Sequence, residues 1–281
     1  MIHYKFDTIP VNNGKMTNYG NLGTNYDANI HLTSSGIEQK TNSDGTYYYY
    51  WKSNAVSNNF LSIPNDVIKL MGANGHSIAF WSQDNKVDDN DFTVMCGPNG
   101  AGFIKIHTPW ADGKVYYILG DLTNSAVSES AASLTNSDKT HWVFSRTNVA
   151  NGKMILSIFK NGVQLVSGPE KTALSVTGAT NYPVYIGYNI DGTVQFKDKT
   201  IEDFRIYDKP ITAAEITALY QRLSVQVNMC FQSASNGTNC PALCHAPVGF
   251  QTTSSGANLE PCPVNTFNNG SRLACTTSNH H

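Results

Sequence analysis

Along most of the chain, apolar and polar residues alternate with a period of two in short runs separated by Gly, Asn, Asp and Pro, the pattern of half-buried antiparallel strands. The clearest case is residues 141–165, HWVFSRTNVANGKMILSIFKNGVQL, where two runs rich in aromatic and branched side chains, 142–146 and 154–160, flank Asn151-Gly152. That dipeptide supplies the positive φ angles of a tight reversal, and Asn161-Gly162 supplies them again one strand later. The segment therefore predicts a meander whose Trp142, Phe144, Leu156 and Ile158 face a core. Further strands are predicted at 2–6, 46–51, 60–63, 77–83, 92–95, 103–107, 115–119, 185–188 and 200–207. In TYYYYW, residues 46–51, the alternation sets Tyr47, Tyr49 and Trp51 on one face and Tyr48 and Tyr50 on the other. This strand is either covered by the core or an aromatic platform on which sugar rings could stack.

One helix is predicted at 210–220, PITAAEITALY. Thr212 is its N-cap, Glu215 three residues on completes a capping box, and Ile216, Leu219 and Tyr220 form the apolar stripe. Residues 7–29 contain many Asn and Gly and read as a long loop; loops of this length are usually functional, ion-bound or packed on themselves. The sum is an all-β chain, an antiparallel β-sandwich with one short C-terminal helix, followed by a small irregular tail.

Composition narrows the function. Of 281 residues 40% are hydrophobic and 14% charged, with a net charge of −2, which fits a folded, near-neutral protein. Lys and Arg are scattered without a basic run, so nucleic acid is excluded as a partner. No run approaches the roughly 18–20 apolar residues of a membrane span, and the first residues, MIHYKFDTIP, lack the pattern of a secretion signal. The terminal His280-His281 pair reads as the start of an affinity tag.

Cysteine usage divides the chain into residues 1–222 and 223–281. Cys96 stands alone in the first part, whereas Cys230, Cys240, Cys244, Cys262 and Cys275 crowd a Gly/Ser/Thr/Asn-rich tail. Such a tail reads as a disulfide-rich module or stalk formed in an oxidising compartment, with one of its five cysteines left over unless it pairs with Cys96 or with a partner outside this stretch. Both N-glycosylation sequons, at Asn236 and Asn269, lie there too, and together they predict an extracellular, cell-surface or virion-surface protein.

Residues 203–220, DFRIYDKPITAAEITALY, resemble the closing strand and helix of the laminin-G-like/concanavalin A-like jelly-roll family. YKFD at 4–7 is similar to that family's opening strand, SIAFW at 77–81 to its S-x-S-F-W strand, and HWVFSR to NGVQL to its W-H-V-A to D-G hairpin. The resemblance covers about residues 2–222 and implies a lectin-like jelly roll. It implies ligand contacts either through aromatics on a sheet face or through rim loops and a bound calcium. The positions matching that family's calcium site are Asp7 and Asp203, and the acidic loop with Asp89 and Asp91 is the alternative, offering several hard oxygen donors or simply a solvated turn. Trp110 in TPWADG, together with Tyr49 and Trp51, are the candidate ligand-binding aromatics; Trp110 reads equally as a loop anchor. Residues 240–275 resemble the cysteine-rich repeats of ephrin-receptor-like type, with Leu259 where a second cysteine is expected.

Catalytic patterns are missing. The family's laminarinase-type enzymes carry E-x-D-x-x-E on one strand, and no glutamate here has an Asp two residues on. No G-x-S-x-G, H-E-x-x-H or Gly-rich phosphate loop occurs, and the eight His residues show no metal-ligand spacing. The expectation is a non-catalytic recognition or adhesion module that binds a glycan or a cell-surface protein. The alternative is a building block of a fibre, coat or filament that self-assembles through its sheets.

Overall fold

A computed structural model describes residues 1–32, 36–43, 45–52, 59–72, 75–84, 93–97, 104–110, 112–127, 139–174, 182–188, 196 and 198–221, together with four short strands in the tail. The chain divides into two compact units, Met1–Tyr220 and Gln221–His281.

In chain order the strands of the first unit are β1 (Ile2–Tyr4), β2 (Lys15–Met16), β3 (Ala28–His31), β4 (Ile37–Thr41), β5 (Tyr47–Trp51), β6 (Phe60–Ile63), β7 (His76–Asp84), β8 (Val94–Cys96), β9 (Ile104–His107), β10 (Tyr116–Leu119), β11 (Asp121–Val127), β12 (Thr140–Val149), β13 (Lys153–Lys160), β14 (Val163–Ser167), β15 (Lys171–Thr172), β16 (Val184–Ile186) and β17 (Lys199–Tyr207). Helix α1 (Val67–Gly72) follows β6, and helix α2 (213–221) follows β17. Two antiparallel sheets form a sandwich. The first runs β14-β13-β12-β7-β17-β5-β4, with β1 beside the end of β17 and β15 beside β13; the second runs β11-β10-β9-β8-β16-β6-β3-β2.

The predicted meander is the β12-β13-β14 ribbon. Asn151 and Gly152 take φ of 59° and 64°, Asn161 and Gly162 take 51° and 82°, and the long β12-β13 ladder pairs Trp142 with Lys160 through to Val149 with Lys153. Trp142, Phe144, Leu156 and Ile158 all lie in the core. There Phe80 stacks between Phe144 and Phe204 at 5.8 and 5.9 Å, and Tyr117 of the second sheet meets Phe144 edge-on at 5.7 Å.

Helix α2 is capped as expected: the Glu215 carboxylate accepts from the Thr212 backbone N–H at 2.7 Å, while the Glu215 N–H donates to Thr212 Oγ1 at 3.2 Å. Its Ile216 packs with Ala79, Val143 and Phe159 on the outer face of the first sheet, a burial worth about 2 kcal/mol. Tyr220 stacks on Trp81 at 5.7 Å. Part of that face is thus already occupied.

Several elements depart from the sequence expectation. Residues 7–29 are not one open loop: they contain β2, lead into β3, and are tied down by the buried Asn18. Asn18 Oδ1 accepts from the His3 and Gly20 backbone N–H groups at 2.9 Å each, and Asn18 Nδ2 donates to the Gly23 carbonyl at 2.9 Å. Strands β4 and β11 and the short helix α1 also lay outside the prediction. In the second unit, Phe250–Thr252 pairs with Leu259–Pro261 and Thr266–Phe267 with Thr276–Thr277. Cys230, Cys240, Cys244, Cys262, Cys275, Asn236 and Asn269 fall outside the described residues.

Candidate functional site

Strand alternation decides which aromatics reach the surface. In β5 it buries Tyr49 and Trp51 completely: Tyr49 donates its hydroxyl to the Thr8 carbonyl at 2.6 Å, and Trp51 donates Nε1–H to the Asn59 carbonyl at 2.9 Å while packing edge-on against Phe196 at 5.0 Å. The expectation that these two rings receive a ligand is therefore corrected. They face the opposite sheet, where no sugar can enter, and the other face of the strand carries Tyr48 and Tyr50, both half-buried.

The outer face of the second sheet is different. Leu61, Ile186, Val94, Ile104 and Ile106 point into the core, so their neighbours point out. Register lines up Asn29, Ser62, Tyr185, Met95 and Lys105 across five adjacent strands; Ser62 and Met95 are buried, and Asn29, Tyr185 and Lys105 are half-buried. On the next row, His31 pairs with Phe60, and His107 with Tyr116. Phe60 is the centre of a ring cluster: His31 stacks on it at 4.3 Å and Tyr188 at 4.2 Å, and Tyr185 meets it edge-on at 5.6 Å. His31 Nε2 lies 2.8 Å from Ser62 Oγ. Trp110, half-buried, sits edge-on to His107 at 4.4 Å, in the turn where Gly113 N–H donates to the Trp110 carbonyl at 2.7 Å. The expected tryptophan thus lies at the rim of the face that carries the Phe60 cluster.

This face carries little charge. Burial lowers the His31 pKa and raises that of Tyr185, so both are neutral near pH 7; the formal charges among the described residues here are Lys105, Lys15 of β2 on the row of Asn29, and Asp112 in the Trp110 turn, which accepts from the Tyr116 hydroxyl. Flat rings beside hydroxyl and amide groups suit a ligand with an apolar face and a hydroxyl-bearing edge.

The first sheet's outer face gathers carboxylates instead. The β7-β17 register slips between Glu202 and Arg205, and Asp203 takes φ of 50° in that bulge. Asp203 accepts from His3 Nε2 at 2.6 Å and from Arg205 Nε at 3.0 Å and Nη2 at 2.9 Å; against the upward push of burial, Arg205 and His3 hold its carboxyl well below the usual range. Glu202 pairs with Lys139 and accepts from Asn42 Nδ2 at 2.8 Å, yet burial raises its pKa. Asp7 accepts from the Tyr19 hydroxyl. The Asp203 charge is therefore balanced by Arg205, while Asp7 is engaged by Tyr19; of the expected Asp7/Asp203 calcium pair, each carboxylate has a protein partner of its own. No group of three or more His, Cys, Asp and Glu suited to a metal occurs among the described residues, and Asp89 and Asp91 lie outside them. Cys96 is a free buried thiol pushed up to about 12 by burial, inert as a nucleophile.

Phe60, Tyr185 and Tyr188 were missed as site residues in the sequence. The available signal was phase for two of them: in FLSI and VYI, Phe60 and Tyr185 fall on the positions opposite the Leu and Ile that enter the core, whereas Tyr188 shares the phase of Ile186 and follows Gly187 at φ 76°, where alternation ends.

Comparison with known proteins agrees with this architecture. A family model described as concanavalin A-like lectin/glucanases superfamily matches residues 53–217. No curated protein matches the sequence. Among solved structures, domain 4 of a GH43 extracellular arabinanase from Geobacillus stearothermophilus, in complex with arabinotriose, is 21% identical, with a TM-score of 0.57 over 78% of this chain and 97% of that one. The botulinum neurotoxin serotype G binding domain is 15% identical, with a TM-score of 0.54 over 98% of this chain and 64% of that one. The serotype D ligand binding domain, in complex with N-acetylneuraminic acid, is 14% identical, with a TM-score of 0.51 over 79% of this chain and 50% of that one.

Proposed function

The chain belongs to the concanavalin A-like lectin/glucanases superfamily, and from that premise we propose that residues 1–222 form a non-catalytic recognition domain for a neutral glycan, carried on a cysteine-rich stalk at a cell or virion surface. The observation that carries this reading is the ring cluster of His31, Phe60, Tyr185 and Tyr188, which leads along the outer face of the second sheet toward Trp110. Aromatic faces cover the apolar face of a pyranose or furanose, and the half-buried Asn29 and Lys105 in the adjacent row offer hydrogen bonds to its hydroxyls. Two similar folds bind arabinotriose and N-acetylneuraminic acid; the near-neutral face here favours the neutral kind of ligand.

A glycosidase needs an acid and a nucleophile free to meet the substrate. Glu202 and Asp203, adjacent in the β17 bulge, are both engaged by cations of the fold. They act as scaffold.

A glycan array probed with the wild-type chain and with Trp110→Ala tests the proposal. Binding to neutral saccharides that weakens in the variant supports it; no binding to any carbohydrate overturns it.

A further inference from the structure

Of the six large hydrophobic residues exposed among the described residues, four are gathered by the loop that carries the chain from β1 in the first sheet to β2 in the second: Ile9 at 70%, Val11 at 54%, Tyr19 at 45% and Tyr47 at 38%. The loop is pinned on both sides of its tip. Before it, the Phe6 carbonyl accepts from Gln39 Nε2 at 2.7 Å and the Thr8 carbonyl from the Tyr49 hydroxyl at 2.6 Å. After it, the Asn13 N–H donates to the Ile30 carbonyl at 2.9 Å, and Asn12 Oδ1 accepts from the Leu32 N–H at 3.1 Å. Between these anchors Pro10 is half-buried, while Ile9 and Val11 both turn outward. Tyr19 joins the loop through its hydroxyl on Asp7, and alternation sets Tyr47 on the face of β5 that holds Tyr49. Lys5 lies over the Tyr19 ring at 4.6 Å, Lys15 follows the loop, and both are exposed.

We propose that this loop is a membrane-docking wedge: Ile9 and Val11 enter the boundary between headgroups and acyl chains of an anionic lipid bilayer, Tyr19 and Tyr47 lie at headgroup depth, and Lys5 and Lys15 face the headgroup charge. Three features select a bilayer over a protein partner. The apolar tip is two side chains wide, far below the roughly 800 Å² per partner of a stable protein interface, whereas a bilayer admits a narrow wedge without a matching surface. An aliphatic tip followed by tyrosine and lysine is the order of side chains that suits passage from acyl chain to headgroup. The anchors also hold the tip out, so little further ordering is needed to insert it. Residues 5–15 carry two lysines against one carboxylate, Asp7, and the inserted area is small, so the association is weak and reversible.

Co-sedimentation of the full chain with vesicles tests this, using phosphatidylcholine alone and phosphatidylcholine with about 30% phosphatidylserine, at about 1 mM lipid. Wild type is expected to pellet with the anionic vesicles and to be released by high salt. The double variant Ile9→Asp/Val11→Asp should bind about tenfold more weakly or worse, because its tip no longer enters the bilayer. Leu165→Asp, on the exposed strand β14 at the opposite edge of the first sheet from β4, should bind as wild type. All three positions are exposed, so near-UV circular dichroism should match wild type in both variants. A wild type that stays in the supernatant with both vesicles, equal binding to both, a double variant that pellets like wild type, or an equal loss in Leu165→Asp overturns the proposal. Glycan binding is read separately and does not bear on this result.

Discussion

Phe60 and Tyr188 stack at 4.2 Å with their planes 27° apart, joining β6 to the residue two beyond the end of β16 on the surface of the second sheet. The contact is unlike the ring pairs of the core, because both residues are only half-buried. Phe60 is stacked by His31 as well as by Tyr188, so in the proposed site it is the outer rings, Tyr188 among them, that would meet a ligand.

The loop that follows β1 depends on one amide. Asn18→Ala leaves the His3 and Gly20 N–H groups and the Gly23 carbonyl without their partner. The expected loss is about 2 kcal/mol in urea denaturation. A loss below a few tenths of a kcal/mol would show that water replaces the amide.

Asp203→Asn keeps a residue that tolerates positive φ but removes the charge facing Arg205 and His3. Stability at neutral pH is expected to fall by about 1–3 kcal/mol. Because the native carboxyl titrates below its ordinary range, this contribution is present above the unfolded pKa and disappears as pH falls through the folded one. Wild type and variant should therefore converge in acid; a constant difference would contradict the assignment.

Two buried histidines set a second pH dependence. Desolvation pulls His76 and His141 down from 6.5 to about 4. Between those values the unfolded chain binds protons that the fold refuses, so stability drops as pH falls, by up to about 1.4 kcal/mol per pH unit for each histidine. Glu202, raised by burial from 4.5, has the opposite sign and blunts the slope above that value. Urea midpoints measured by tryptophan fluorescence from about pH 7 to about 4.5 should decline, and more steeply in Glu202→Gln. A flat profile would be inconsistent with neutral buried imidazoles.

Local signals in the sequence made much of the fold legible. The two Asn-Gly turns, the inward phase of Trp142 and Phe144, and the Thr212/Glu215 cap each act within a few residues, so the pattern carries them directly. The site was less legible because it is assembled across strands. Phe60, Tyr185 and His31 are distant in sequence and meet only through the β3-β6-β16 register. Tyr49 and Trp51 misled because period two identifies two faces without telling which one meets the other sheet. Asp203 was singled out as a cation ligand, but its bulge and its Arg205 partner arise from β17 passing from β5 to β1, which no local pattern encodes.

The most direct test compares one ring from each outer sheet face. With the tightest saccharide found on the array, calorimetric affinities are measured for wild type, Tyr188→Ala on the second sheet and Tyr48→Ala on the first. The account predicts a loss of about tenfold for Tyr188→Ala, the worth of one stacked ring, and no change for Tyr48→Ala. Loss in Tyr48→Ala with Tyr188→Ala unaffected would place the ligand on the other sheet and contradict it.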